Sequence, residues 1–96
     1  MPFAIVLAPE AVEDLKRLKA AVRGSVKEAI ETHLRHEPEK TSRSRIKRLR
    51  GLSRPQYRLR VGDVRVFYDV ADGVVEVLAV VPKSETAAWL AQFGKL

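Results

Sequence analysis

The sequence predicts an α+β domain in which an antiparallel sheet packs against helices, and three observations lead to this prediction. A short apolar run near the N-terminus has the β-branched and aromatic residues of a buried strand. Two stretches with helical spacing of apolar residues follow it. The second half holds three strand-like runs separated by two-residue turns that suit β-hairpins. We therefore expect an N-terminal strand plus a three-strand meander, an N-terminal helical hairpin and a short C-terminal helix.

Length and composition favour one small folded domain over residues 1–96. The charged fraction is 31% and the apolar fraction 46%, as in ordinary globular proteins, and so short a chain needs nearly every apolar stripe for its core. The chain contains no cysteine, which excludes disulfides and thiolate metal sites and fits a reducing cytosol. No apolar run approaches ~18 residues, and the N-terminus lacks the basic region of a signal peptide. We therefore expect a cytoplasmic protein with no membrane partner.

The first half is predicted to form a strand followed by a helical hairpin. Residues 3–7 are apolar and end before a proline, as expected for a strand buried on both faces. Pro9 suits the first turn of a helix that runs to about residue 20. A second helix is predicted from residue 21 or 22 to His36, and Gly24 leaves its start open. Its apolar residues are spaced four apart, at Val22, Val26, Ile30 and Leu34.

A basic connection leads from the helices into the meander. Residues 39–55 contain one short apolar element, at residues 46–49, and are interrupted by glycine, serine and proline. Two hairpin turns follow, at Gly62-Asp63 and at Asp72-Gly73, of which the second is the strongest turn signal in the chain. The turns separate strands that we predict at residues 57–61, 64–71 and 74–81.

The last strand and the C-terminal segment are expected to pack together. The strand is apolar on both faces apart from Glu76, so it lies in the middle of the sheet or is covered on both sides. A last helix, predicted over residues 85–93, can cover the second face, or a partner chain does so. Ser84 is the candidate N-cap of this helix, and Gly94 follows its end.

The positive charge of the chain is concentrated in residues 40–65. This window holds ten Lys or Arg residues and one Asp, a formal charge of +9, whereas the whole chain carries +6 and the remainder therefore −3. Such a local excess of cations is the pattern of a surface that meets a polyanion. A solvated basic loop is the alternative, but the window ends in Tyr-Arg-Leu-Arg-Val, which alternates like a strand.

The turn at Gly62-Asp63 decides which side chains of the first hairpin share a face. A two-residue turn places Arg60 opposite Arg65, and Arg58 opposite Phe67. Like charges directly opposite each other are destabilising. An opposed arginine pair beside an aromatic ring makes a phosphate site with a stacking platform, and the alternative is a solvated face whose charges prevent aggregation. The expected core face carries Tyr57, Leu59, Val61, Val64, Val66 and Tyr68.

The two histidines are three residues apart on the second predicted helix. A pair such as His33 and His36 can bind a metal or do acid–base chemistry. No third ligand is suggested nearby in the sequence, so we expect a solvated or capping role. No metal site and no cofactor are expected.

The order of these elements resembles the RelE/ParE toxins of bacterial toxin–antitoxin modules. The resemblance covers essentially the whole chain, and its most specific parts are Leu49-Arg50-Gly51 and the run Tyr-Arg-Leu-Arg-Val-Gly-Asp-Val-Arg-Val-Phe-Tyr at residues 57–68. It implies a small antiparallel sheet flanked by helices, similar to a microbial ribonuclease core. RelE-like members cut messenger RNA in the ribosomal A site, without a metal, by attack of a ribose 2′-hydroxyl on the adjacent phosphate.

The resemblance also implies a set of site residues. The catalytic positions of the family fall on Arg58, Arg60, Arg65 and Lys83, of which only Arg65 keeps the residue type of the family. The RNA-binding residues expected around them are Arg43, Arg45, Lys47, Arg48, Arg50, Arg54, Phe67 and Trp89. Trp89 stands where the family has a C-terminal tyrosine, and an indole cannot transfer a catalytic proton. It then stacks on a base or anchors the last helix, and Lys83 serves as proton acceptor if neighbouring cations lower its pKa.

The leading hypothesis is therefore a ribosome-dependent mRNA endoribonuclease, neutralised by a cognate antitoxin in a hetero-oligomer. Its partners would be the antitoxin, the ribosome and mRNA. One alternative is a ParE-like inhibitor that binds DNA gyrase and cleaves nothing, although that branch lacks a basic catalytic set. A second alternative is a non-catalytic RNA-binding module, which the tryptophan at the tyrosine position keeps open.

Overall fold

The computed structural model describes residues 2–96 and contains a mixed sheet with helices on both of its faces. The α+β class that the sequence predicts is confirmed. In this part of the chain the strands are β1 (Ala4–Leu7), β2 (Ile46–Arg48), β3 (Tyr57–Val61), β4 (Val64–Ala71) and β5 (Val74–Pro82). The helices are α1 (Pro9–Arg17), α2 (Ala20–Leu34) and α3 (Thr86–Phe93), and a 3₁₀ turn over Lys83–Glu85 precedes α3.

The sheet has the strand order β1-β5-β4-β3-β2. The three-strand meander predicted from the turns, β3-β4-β5, forms its centre. Two features differ from the predicted antiparallel sheet, and β1 lies at the edge of the sheet, exposed or half-buried along its length, rather than buried on both faces. β1 pairs with β5 in parallel, with Ala4 N–H donating to Gly73 O and Ala8 N–H to Val77 O, both at 2.9 Å. The short apolar element at residues 46–49 forms the edge strand β2, because Ile46 is buried in the core beside β3.

Both hairpin turns have the backbone conformation that the sequence predicts. The turn after β3 has a positive φ of 58° at Gly62 and pairs Val61 with Val64. The turn after β4 has positive φ at both central residues, 52° at Asp72 and 75° at Gly73. These are the primed turns whose twist matches that of the flanking strands. The cross-strand partners of β3 and β4 are therefore those expected from the sequence.

The main core lies between the sheet and the two N-terminal helices. α2 starts at Ala20, so Gly24 lies inside the helix rather than in the turn, and the extended residues Leu18 and Lys19 separate α1 from α2. α2 ends at Leu34, two residues before the predicted end. Buried residues from both layers form one cluster: Ala11, Leu15, Val26, Ile30, Leu34, Leu59, Val66, Tyr68, Val75 and Val77. None of the helices within residues 2–96 has the length and hydropathy needed to cross a membrane.

The last helix starts and ends differently from the prediction. Ser84 lies in the 3₁₀ turn, and no side chain caps α3, which starts at Thr86. At the other end the Gly94 N–H donates to Leu90 O at 2.8 Å, with an ordinary φ of −66°. A β-carbon at Gly94 would lie 2.6 Å from that oxygen. The glycine therefore permits a close approach of two backbone segments, rather than a left-handed turn.

Tyr68 links the core to the segment that follows α2. Its ring stacks on Tyr57 with centroids 5.4 Å apart, and its buried hydroxyl donates to Pro38 O at 2.6 Å. Burial is the main cause that raises the pKa of this hydroxyl, and the neighbouring Tyr57 and Glu39 add to it. The tyrosine therefore stays protonated and keeps its hydrogen bond over the physiological pH range.

Replacing Tyr68 by Phe is expected to lower the free energy of unfolding by about 1–3 kcal/mol, because a buried carbonyl loses its donor. Urea unfolding measures the change. Tyr57→Phe is the matched control, since it removes a hydroxyl from the same stack without touching the Pro38 carbonyl. Equal midpoints for the two variants would show that the Pro38 bond does not stabilise the fold.

Candidate functional site

The sheet face opposite α1 and α2 carries the arginines of the first hairpin. Arg60 pairs with Arg65, and Arg58 pairs with Phe67, as the turn predicts. Their neighbours Leu59 and Val66 are fully buried on the helix side, so these four side chains point to the second face. The structure thus brings together the three arginines named from the sequence.

Arg65 is buried, with only 6% of its surface exposed. Its Nη1 donates to Gly62 O at 2.8 Å and to Val64 O at 3.1 Å. The sequence predicts that Arg65 and Arg60 together make a phosphate site, and the structure shows that the Arg65 guanidinium folds back onto its own hairpin. The two carbonyl oxygens provide partners that offset the repulsion by Arg60. Arg65 therefore holds the turn in shape as well as contributing charge to the face.

Arg58 is partly buried and incompletely bonded. Its Nε is inaccessible to solvent and has no hydrogen-bond partner among residues 2–96, while its Nη2 lies 3.5 Å from Ser44 O. Desolvation is the main cause that lowers its pKa, followed by the charges of Arg65 and Arg60. An arginine is nevertheless charged at neutral pH. The three guanidinium groups therefore repel one another in a partly desolvated place, where a bound anion would relieve the repulsion.

Phe67 does not offer the open stacking platform that the sequence predicts. It is 1% exposed, and Trp89 of α3 stacks on it with centroids 4.8 Å apart and planes inclined by 7°. A second, smaller core forms around this pair and includes Ala79 and Val81. Because Phe67 lies in the middle of this core, it cannot contact a base in this conformation. Trp89 is partly exposed, and one role of its ring is to cover Phe67.

The C-terminal segment is fixed to the sheet at both of its ends. Lys83 N–H donates to Asp63 O at 2.7 Å, which places the start of the 3₁₀ turn beside the β3–β4 turn. After α3, Lys95 N–H donates to Arg54 O at 2.8 Å, and Ser53 N–H donates to Lys95 O at 2.7 Å. The exposed side chain of Lys83 therefore extends from the same end of the hairpin as the Arg60 and Arg65 pair.

Most of the remaining predicted RNA-binding residues are exposed near the β2 edge. Lys47 pairs with Arg58 across the strands. Arg48 lies over the Tyr57 ring at 5.2 Å, and its Nη1 donates to Gln56 O at 2.8 Å. The other exposed members of this group are Arg43, Arg45 and Arg50. Lys47 therefore extends the arginine face toward the β2 edge, whereas Arg48, whose guanidinium lies over Tyr57 of the main core, is on the opposite face of the sheet.

Arg54 is separate from that surface, contrary to its assignment from the sequence. Its Nε lies 3.1 Å from a carboxylate oxygen of Asp69, and its Nη2 lies 3.0 Å from one of Glu76. The second oxygen of Asp69 accepts the Gln56 N–H at 2.7 Å. Two carboxylates therefore neutralise Arg54 and hold the segment before β3 against β4 and β5. Sequence reasoning missed this cluster because its members are distant in the chain.

A deep groove lies on the other side of α3, away from the basic face. It encloses about 850 Å³ between the start of α1 and the exposed side of α3, and its lining includes Pro9, Leu78, Trp89 and Phe93. Neither Arg58 nor Arg60 lines it, so these two arginines take no part in this groove. Within residues 2–96 no cluster of three or more His, Cys, Asp or Glu side chains could hold a metal ion.

Comparison with known proteins gives one family and several related structures. Residues 5–87 match the family described as the ParE toxin of the type II toxin–antitoxin system parDE. A RelE–RelB complex from the archaeon Pyrococcus horikoshii is 28% identical, with a TM-score of 0.71 over 86% of this chain and 97% of that one. The Mycobacterium tuberculosis toxin–antitoxin complex RelBE2 is 25% identical, with a TM-score of 0.71 over 85% and 99%.

A likeness in fold alone extends to a double arginine mutant of Escherichia coli RelE in the free state. It is 23% identical, with a TM-score of 0.68 over 93% of this chain and 92% of that one. No curated protein matches the chain by sequence.

Trp89→Ala is expected to loosen α3 and expose Phe67. The free energy of unfolding should fall by about 2 kcal/mol, less than the ~3–5 kcal/mol of a fully buried tryptophan. Trp89→Phe should retain most of the stability because it preserves an aromatic pair. Gln92→Ala, at an exposed position of α3, is the control, because Phe93 itself packs on Trp89 with ring centroids 5.4 Å apart. Urea unfolding monitored by circular dichroism measures all three variants, and equal stability of Trp89→Ala and Gln92→Ala would contradict a covering role.

Proposed function

The chain belongs to the ParE toxin family of type II toxin–antitoxin systems, within the RelE/ParE superfamily, and from that premise we propose that it is an RNA-cutting toxin. It binds mRNA on the basic sheet face and cleaves it on the cytoplasmic ribosome as an mRNA interferase. The observation that supports this best is the desolvated arginine cluster, in which Arg58 Nε is a donor without a partner among residues 2–96.

The cleavage step requires little more than charge and geometry. The ribose 2′-oxygen loses its proton and attacks the adjacent phosphorus, and the bond to the 5′-oxygen breaks. The released 5′-oxygen takes up a proton from water, so that a 2′,3′-cyclic phosphate and a 5′-hydroxyl result. Negative charge grows on the phosphoryl oxygens, and preorganised donors at that position lower the barrier. Arg58 and Arg60 supply those donors, and Arg65 keeps the hairpin in the required shape.

The proton of the 2′-hydroxyl needs an acceptor. An arginine with a pKa above ~12 is a poor general base at neutral pH, and the indole of Trp89 does not accept a proton. Lys83 is the candidate, because its backbone is bonded to Asp63 at the end of the hairpin that carries Arg60. With no better base, we expect the protein to cleave slowly and to depend mainly on electrostatic stabilisation of the transition state.

The antitoxin would cover the same face. The relatives from Pyrococcus horikoshii and Mycobacterium tuberculosis are toxin–antitoxin complexes, and this chain carries +6. We propose a cognate antitoxin whose acidic or amphipathic segment, disordered when free, wraps the basic edge in a hetero-oligomer. Competition between RNA and the antitoxin for one surface would explain neutralisation without a second site.

The second candidate function is inhibition of DNA gyrase, and the ParE family match favours it. The relatives at 28% and 25% identity are RelE proteins, which favours cleavage. Incubation with programmed ribosomes, followed by mapping of message ends, tests cleavage, and a supercoiling assay with gyrase tests the alternative. Binding of RNA without new message ends would instead indicate a non-catalytic RNA-binding module.

Arg60→Ala is expected to reduce cleavage on programmed ribosomes by about 10²-fold, the usual effect of losing one donor to the transition state. Its side chain is exposed, so the fold should persist, and circular dichroism checks this. Lys27→Ala, on the exposed side of α2, is the matched loss of one cation. Full cleavage by Arg60→Ala, or equal losses in both variants, would contradict the assignment.

Inorganic phosphate is expected to stabilise the protein, because an anion bound among Arg58, Arg60 and Arg65 offsets their repulsion. The melting temperature should rise with phosphate more than with chloride of equal ionic strength. The difference should shrink in Arg58→Gln and persist in Lys27→Gln. An identical response of parent and Arg58→Gln would mean that phosphate acts elsewhere.

A further inference from the structure

A second concave site lies between the end of α2 and the basic connection, outside the arginine cluster. It encloses about 240 Å³, and its lining includes His33, His36, Glu37, Lys40, Ser42 and Arg45. This volume is more than a single ion needs. Its lining combines apolar surface with basic, acidic and hydroxyl side chains, so the cavity suits a ligand that has both an anionic and an apolar part.

Ser42 gives this site a fixed wall. Its Oγ accepts the backbone N–H groups of Arg45 at 2.9 Å and of Ile46 at 3.2 Å. A serine hydroxyl has two acceptor positions and one proton to donate. With both acceptor positions in use, the remaining function of Ser42 Oγ is that of a donor. The hydrogen bonds also hold the start of β2 in place beneath the cavity.

The cations of the site differ in their availability. Lys40 pairs with Glu37 at 3.5 Å. The guanidinium of Arg45 makes no ion pair within the described residues 2–96 and is exposed. His33 is half-buried, and burial first and the charge of Arg45 second lower the pKa of its imidazole. Arg45, Ser42 and His33 thus provide a charge, a hydroxyl donor and a titratable ring around one cavity.

The backbone of Arg45 joins the cavity to the arginine face. Its carbonyl accepts the Arg60 N–H at 2.8 Å, and the neighbouring Ser44 carbonyl lies 3.5 Å from Arg58 Nη2. Adjacent strands are about 4.8 Å apart, so a chain lying on the hairpin arginines reaches the cavity over the edge of the sheet. An RNA strand that occupies both sites therefore passes over the β2 edge from one side of the sheet to the other.

We propose that this cavity is a nucleotide subsite, which takes one phosphate and its base from an RNA chain lying across Arg58 and Arg60. The inference rests on the proposed function, since it assumes that RNA is the ligand of the basic face. Arg45 binds the phosphate, Ser42 donates a hydrogen bond, and His33 contacts the same nucleotide. The subsite fixes the position of the RNA along the sheet, and thereby the bond that meets the arginines.

The subsite has a consequence for pH. A phosphate beside His33 favours the imidazolium form, so binding raises the pKa of His33 and takes up a proton. Affinity for RNA therefore increases as the pH falls toward the pKa of this histidine. Other charged or titratable side chains also line the cavity, namely His36, Glu37, Lys40 and Arg45. The variant His36→Gln removes the second histidine, so that the remaining pH dependence of RNA affinity can be assigned to His33.

The test is a titration of the protein with a non-cleavable 2′-O-methyl RNA of roughly ten nucleotides, a length typical of single-strand sites. The affinity is measured between about pH 5 and pH 8, where histidine titrates. The chain has two histidines, so NMR of the imidazole protons in the parent and in His36→Gln follows His33 directly. Arg45→Gln is compared with Arg43→Gln, which removes a charge from the same connection outside the cavity.

We expect the pKa of His33 to rise on binding and Arg45→Gln to lose about tenfold in affinity, as for a hydrogen bond to a charged group. Arg43→Gln should lose clearly less, and His33→Gln should flatten the pH dependence. If RNA binds but His33 does not respond and the two arginine variants are equal, the subsite is wrong and the proposed function stands. If the parent does not bind RNA at low salt, both fall. If a free mononucleotide shifts His33 as strongly as the RNA, the cavity takes free nucleotides and the path across the sheet is wrong.

Discussion

The two-residue turn after β3 places Arg60 directly opposite Arg65, and much of the second sheet face can be understood as a response to that contact. Side chains so opposed have β-carbons about 4.5–5.5 Å apart, where like charges are destabilising. The Arg65 side chain folds back and donates hydrogen bonds to Gly62 O and Val64 O. Arg58, one pair further along, lacks such partners for its Nε among residues 2–96. The charge repulsion that no hydrogen-bond partner offsets is therefore between Arg58 and Arg60, where an anion can bind.

α3 covers only part of this face: it packs on Phe67 in the smaller core and leaves Arg58 and Arg60 outside that core. Trp89 covers Phe67, and the backbone bonds at Lys83 and Lys95 hold the helix from both sides. No residue of α3 is fully buried, so the helix is held by Trp89 and Leu90, which pack on the smaller core, and by these terminal bonds. Burial lowers the pKa of Arg58, and a partly desolvated site strengthens any charge interaction made there.

Local rules predict the hairpins well, because turn type and alternation are properties of neighbouring residues. The turn residues at Gly62 and at Asp72-Gly73 specify the register next to each turn, but a β-bulge between Phe67 and Tyr68 shifts the pairing of β4 with β5 over the rest of that hairpin. The sequence does not predict the hydrogen-bond partners of long polar side chains. The burial of Arg65 depends on carbonyls that only the folded hairpin presents. The parallel pairing of β1 with β5 likewise joins segments about seventy positions apart, which no periodicity encodes.

The carboxylates decide which cations of the basic window are available to a ligand. Asp69 and Glu76 neutralise Arg54 at one end of the sheet, whereas Arg58 and Arg60 at the other end have no carboxylate partner within residues 2–96. The free positive charge therefore starts at the β3–β4 turn and continues along β3 to the β2 edge. A polyanion is attracted to the cations that lack carboxylate partners, whatever their order in the sequence. The sequence places ten cations in one window, but they are not equally available to a ligand. Arg54 is occupied in holding the fold together, whereas Arg58 and Arg60 have no carboxylate partner within residues 2–96.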